Sequence, residues 1–181
     1  MKKNIGKPVV LYPTPVTLVG AMVDGKPNWM LVAHVGIIGH DKIMISAVKA
    51  HYTNKGIREN KLLSVSLVDE KFLKSVDRAG CVSGLKQDKS EMFEFEIGDS
   101  GAPIPKDSPL VMECSVDDVF ETKGFENFIL KIENVYAEEF TLDEQGKVSL
   151  HNFKPALFSM TTYEYFSTGD FLGKCKHMND E

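Results

Sequence analysis

At 181 residues, with 43% hydrophobic and 26% charged side chains, the chain has ordinary globular composition, which excludes disorder. It is long enough to bury a core without disulfides or a structural metal, and it predicts a single domain over residues 1–181. A net charge of -5 and a pI near 5.6, with lysines spread along the chain, exclude the basic footprint of a nucleic-acid binder.

Residues 1–7 are polar and hold no apolar signal core. No stretch approaches the ~20 apolar residues of a membrane span, so the expected compartment is the cytoplasm with no membrane partner. Cys81, Cys114 and Cys175 are far apart and odd in number, which leaves neither a disulfide framework nor a zinc ribbon to read. Reduced thiols are expected.

Along the chain, residues 16–23 are apolar and β-branched and are broken by Asp24-Gly25-Lys26-Pro27, so they predict a strand and a turn. Residues 28–35 complete a hairpin, and a loop carrying Gly36 and Gly39 leads to a third strand, Lys42–Val48. Thr53 is placed to cap a short helix over 54–60, and residues 62–68 alternate apolar with serine as a half-buried strand. Asp69 then caps a helix to Ala79, with Phe72, Leu73 and Val76 on one face. Residues 80–104 read as loop and short helix. Long strands follow over 110–120 and 127–140, then a turn at Asp143-Glu144-Gln145-Gly146, a strand over 147–150, and an aromatic, glycine-bearing tail over 158–173. Many short strands with brief helices predict a mostly β fold, a β-barrel with short helices.

The common catalytic signatures are missing. There is no Walker loop and no Gly-x-Gly-x-x-Gly fingerprint, and the alternating βαβ pattern of a Rossmann domain is absent. In Gly80-Cys81-Val82-Ser83-Gly84 the serine sits one place late for a nucleophile elbow. None of the five histidines forms His-x-x-x-His or His-Glu-x-x-His spacing; His34 and His40 flank one loop that a metal would fit, against the favoured reading of structural or surface histidines, and Cys81 has no evident base. With no catalytic residue to name, any chemistry falls to a cofactor that the protein binds and orients.

Three segments stand out: Asn28-Trp29-Met30 opening a strand, Ser46-Ala47-Val48-Lys49 running into His51-Tyr52-Thr53, and Gly80 to Lys89. A Thr53 hydroxyl beside free helical N–H groups, with Lys49 and His51 close by, suits a phosphate. Thr53 as a plain cap and Lys49 as a solvated strand end explain the same residues, and both readings stand on the residues alone.

Taken in order, Tyr12-Pro13-x-Pro15-Val16, Asn28-x-Met30, Tyr52-Thr53, Gly80-x-x-Ser83-Gly84 with Asp88-Lys89, and Tyr165-Phe166-Ser167-Thr168-Gly169 resemble the flavin reductase-like (flavoredoxin-like) family. The resemblance spans about residues 12–173. It implies an FMN-binding split β-barrel, normally a homodimer, with noncovalent FMN near the subunit interface. By position, Asn28, Trp29 and Met30 would border the isoalloxazine ring, and Ser46, Ala47, Val48 and Lys49 would run beside the ring and ribityl chain, their amides meeting its polar edge. Tyr52 and Thr53 would hold the phosphate end, Ser83 and Gly84 would close the pocket, and Tyr165 would approach the neighbouring subunit's flavin.

Three positions depart from the family. His51 stands where Arg often precedes the Tyr-Thr pair. Leu85 stands where Arg often follows Ser-Gly, with Lys86 one place later, and Leu31 stands where Thr often follows Asn-x-Met. A neighbouring Lys does not reproduce a bidentate Arg contact, so the phosphate hold is expected to be weaker. The expected function is an FMN-dependent oxidoreductase of the flavin reductase type, fed by NAD(P)H or a redox partner protein. An FMN electron carrier and a flavin-free binding barrel are the alternatives. For a nicotinamide phosphate, Lys86 and Lys89 are the candidates, against a simple solvated reading.

Overall fold

Alternation of side chains across each pleat divides the strand residues between two faces, and each face gathers its own core. The computed structural model describes residues 1–178. The last three residues of the expected domain lie outside the described ones. In chain order come β1 (Thr14–Pro15), β2 (Thr17–Val23), β3 (Lys26–Val32), β4 (Val35–Ile37), β5 (Lys42–Val48), α1 (Thr53–Asn60), β6 (Leu62–Leu67) and α2 (Glu70–Cys81). After them come β7 (Phe95–Ile97), β8 (Pro103–Pro105), the long pair β9 (Leu110–Thr122) and β10 (Phe125–Ala137), then β11 (Leu157–Ser159) and β12 (Glu164–Phe166).

An antiparallel sheet of seven strands, ordered β3-β2-β6-β9-β10-β5-β4, curls into a half-barrel, and the chain is mostly β as expected. The β2–β3 turn falls at Asp24-Gly25, both with positive φ (50° and 80°), which matches the twist of a two-residue hairpin. Inside the curl, Val19, Ala21, Met30, Val32, Ile45, Leu63, Val65, Phe128 and Leu130 form one cluster, closed by Ile57 from α1. Burying Ile57 completely contributes roughly 1.5–3 kcal/mol. Gly56 permits this docking, because a Cβ there would run into the Met22 carbonyl of β2.

The other face of β2 and β3 carries Leu18 and Trp29, which pack with Phe72, Val76 and Ala79 of α2 and with Phe93. Asp69 caps α2 as expected, its Oδ1 accepting from Phe72 N at 2.8 Å. Far from this cluster in sequence, the buried Glu113 of β9 ties down residues 98–102. Its carboxylate accepts from Ser100 N and Ala102 N at 3.0 Å and from Asn134 Nδ2 at 2.8 Å. Burial raises its pKa, but these donors outweigh that and leave it below the usual carboxylate range.

Three expectations are corrected. Residues 80–104 contain most of the β7–β8 hairpin, whose strands are three residues each, the second bounded by Pro103 and Pro105, and so carry little periodic signal. The expected strand over 147–150 reduces to a single bridge, Leu142 to Val148, beyond the turn that Asp143 holds by accepting from Gln145 N and Lys147 N. Thr53 does not cap α1: Tyr52 holds the cap position with helical backbone angles and no side-chain cap bond.

Candidate functional site

The start of β3, the 50–53 turn into α1 and the 80–84 turn out of α2 converge on one cavity. It measures about 260 Å³ and is lined by Asn28, Met30, Ala50, His51, Tyr52, Thr53, Gly80, Cys81, Val82, Ser83, Gly84 and Lys89. Strand alternation sends Asn28 and Met30 to the same face, and Asn28 Nδ2 donates to Thr53 Oγ1 at 2.7 Å in a buried contact. The Thr53 hydroxyl is therefore engaged by the strand opposite rather than by its own helix.

The third wall is close-packed. A Cβ on Gly84 would overlap Asn28 Oδ1 and the Tyr52 ring, so only glycine lets this turn lie against both. Ser83 organises the turn: its carbonyl accepts from Lys86 N at 2.9 Å and Gln87 N at 3.0 Å, and its Oγ accepts from Leu85 N at 3.3 Å. On the other side Tyr52 donates to Asp24 Oδ2 at 2.6 Å, and Lys55 reaches Asp24 Oδ1 at 2.6 Å. Lys55 first and Tyr52 second hold the Asp24 carboxyl below its usual range.

Lys89 forms the floor. It is 4% exposed, and its Nζ donates to Trp29 O at 2.9 Å and Ala79 O at 2.7 Å. Among the described residues no carboxylate pairs with it. Burial lowers its pKa, and burial followed by the nearby Lys89 charge lowers that of His51. Lys89 meets the cavity as a buried amino group bonded to two backbone carbonyls and, among the described residues, to no carboxylate. The solvated reading of Lys89 is thus corrected. Its sequence signal was its place in the Asp88-Lys89 element, and its burial was invisible there.

Asn28, Met30, Tyr52, Thr53, Ser83 and Gly84 line this one cavity, and Trp29, Ser46, Ala47, Val48, Lys49 and Tyr165 do not. The Trp29 side chain is fully buried on the opposite face of β3, in edge contact with Phe93 and packed over Gly20, where any Cβ would strike the indole. Its carbonyl, not its ring, reaches the cavity floor. Ser46, Ala47, Val48 and Lys49 lead toward the cavity without lining it. Ser46 N donates to His34 O, Lys49 N to Gly124 O, and the Lys49 ammonium pairs with Glu121. Tyr165 packs on Phe158 and donates to Asp77 Oδ1 of α2 at 2.6 Å. Among the described residues no cluster of histidine, cysteine and carboxylates could hold a metal, and no helix is long and apolar enough to cross a membrane.

A curled antiparallel half-barrel bearing a cavity beside its first helix defines a split β-barrel protein. The flavin reductase like domain family matches residues 9–166, and the chain belongs to that family. It is similar to the crystal structure of flavoredoxin from Methanosarcina acetivorans, with 36% identity over 97% of this chain and 96% of that one and a TM-score of 0.92. It is also similar to flavoredoxin of Desulfovibrio vulgaris (Miyazaki F), with 31% identity over 97% of this chain and 98% of that one and a TM-score of 0.89. An FMN-binding protein from Thermus thermophilus shares the fold at TM-score 0.83 and 18% identity, over 97% of this chain and 100% of that one. No curated protein sequence matches the chain significantly.

Proposed function

We propose that the chain is a noncovalent FMN flavoprotein of the flavin reductase type, taking electrons from NAD(P)H or a redox partner protein and passing them on. The observation that carries this reading is Lys89, an ammonium 4% exposed that faces a concave cavity and has only backbone carbonyls for company. A phosphate monoester supplies the missing counter-charge.

In this reading Lys89, Thr53 and Ser83 hold the phosphate, while Tyr52 and Gly84 close the cavity over it. Asn28 and Met30 stand on the path toward the ring, which Ser46 to Lys49 would flank. A bound flavin would supply hydride and electron acceptance at its ring. The protein's share is to bind, orient and exclude water. Burial and then the Lys89 charge lower the His51 pKa, so the cationic role is assigned to Lys89.

A second reading is an FMN electron carrier without nicotinamide chemistry. What favours it is that two relatives above 30% identity bear the name flavoredoxin. Anaerobic stopped-flow mixing with NADH and NADPH separates the two. The reductase reading expects flavin bleaching faster than that of free FMN, and the carrier reading expects bleaching no faster than free FMN.

The flavin itself is tested by the absorbance of the purified protein and by titration of the Lys89→Gln variant. We expect a yellow protein, and about a 10–100-fold loss of FMN affinity with riboflavin affinity little changed, as for a lost charge-assisted hydrogen bond. A colourless protein that also fails to bind added FMN would refute the proposal. Equal losses for FMN and riboflavin would remove the phosphate from Lys89.

A further inference from the structure

A separate cavity of about 380 Å³ opens between residues 10–13 and the β11–β12 hairpin, lined by Val10, Tyr12, Pro13, Ser159, Thr161 and Phe166. It shares no residue with the cavity at Lys89, and unlike that one it is bounded by no charged side chain. Pairing of β1 with β11, Thr14 opposite Phe158, brings its two walls together. An ionic ligand would give up hydration here without gaining a counter-charge, so the lining suits an uncharged one.

Within this wall the Tyr12 hydroxyl rests on a weak acceptor. Its Oη lies 2.9 Å from His34 Nε2 and donates to Met160 Sδ at 2.9 Å. A phenol has a single proton, so with that proton on sulfur the oxygen accepts from His34 Nε2–H. Phe125 packs edge-on against the His34 ring, 6.0 Å between centroids, and steadies the imidazole. A carbonyl oxygen is a stronger acceptor than a thioether and would draw the Tyr12 proton from Met160. The bond received from His34 polarises the phenol and makes it a better donor. Met160 stands between Ser159 and Thr161, both of which line the cavity, so the phenol oxygen lies at the wall they form. The Ser159 and Thr161 hydroxyls, 2.9 Å apart, can supply a second donor.

We propose that this cavity binds a small uncharged molecule with a carbonyl oxygen on an apolar body, and that Tyr12, backed by His34, is the donor that reads the oxygen. Val10, Pro13 and Phe166 take the apolar body. Val10 and Phe166 are 66% and 49% exposed, so the ligand gains by covering them. Binding here is independent of whether Lys89 holds a flavin phosphate.

The test is calorimetric titration of acetophenone, α-methylstyrene and benzoate into the full-length protein. α-Methylstyrene keeps the shape of acetophenone with a methylene in place of the oxygen, and benzoate adds a charge. Acetophenone should bind about fivefold more tightly than either, as for one neutral hydrogen bond. Tyr12→Phe should shrink its preference over α-methylstyrene to within about twofold, while α-methylstyrene binds as before and so reports an intact cavity. Met160→Leu, which removes the competing acceptor, should tighten acetophenone binding by about two- to threefold. Saturating FMN should leave acetophenone affinity unchanged. Equal affinity for acetophenone and α-methylstyrene, a preference that survives Tyr12→Phe, or displacement of acetophenone by FMN would overturn the proposal. Binding of none of the three would overturn it too, in favour of a second copy of the chain where light scattering reports a dimer.

Discussion

Lys89 and His51 line the same cavity, and the Lys89 charge disfavours a second charge on His51. Burial first, then Lys89, holds the His51 pKa below its ordinary value. An unfolded histidine takes up its proton near pH 6.5, whereas the folded one resists, so the unfolded state binds more protons as pH falls below that point. Stability should therefore decline on acidification from about 6.5 down to the folded pKa of His51 and level off below it. Urea unfolding between pH 8 and 5 checks this against His51→Asn, in which the other titrating groups are unchanged. The variant should lose less stability over that interval, and an equal or larger loss would show that His51 is not the strained base.

Helix α2 delivers the 80–84 turn to the site, and its position is set at both ends. Phe72, Val76 and Ala79 hold it on the outer face of β3, while Asp69 caps its start. Asp69→Ala should cost about 1 kcal/mol, read as a lower urea midpoint at unchanged slope. A shift below a few tenths of a kcal/mol would mean that packing alone seats the helix. Helix α1 is held differently. Lacking a side-chain cap, it is anchored by Asn54, whose Nδ2 donates to Val48 O at 3.1 Å and to the buried Glu126 at 2.6 Å, and by Arg58 on the same carboxylate. A capped helix announces itself in sequence; one anchored by a strand 72 residues away does not.

At the scale of the molecule, the aromatic tail is only partly available to a second subunit. Phe158 and Tyr165 of the aromatic tail are half-buried against their own chain, and burial first, with the bond to Asp77, raises the Tyr165 pKa. Exposed apolar surface nevertheless remains at Tyr163, Phe166 and Phe171, at Val9, Val10 and Leu11 near the start of the chain, and at Ile37 on the edge strand β4. A monomer rarely leaves so much open. We propose a homodimer built on these residues. Light scattering at micromolar concentration should report about twice the 20.2 kDa of one chain, and a monomer mass would refute it.

The mostly β architecture, the Asp24-Gly25 turn, the Asp69 cap and the order of the site segments were legible in the sequence, because each rests on residues a few places apart. Alternation alone also required Trp29 and Met30 to face opposite ways, though not which of them meets the cavity. That choice, the capture of Thr53 by Asn28, the pairing of Lys49 with Glu121 and the burial of Lys89 belong to tertiary structure. The last three each involve a partner between 25 and 72 positions away, brought close only when the sheet curls. Whether a lysine is a solvated charge or the floor of an anion site is a property of its neighbours in space, and no local pattern encodes it.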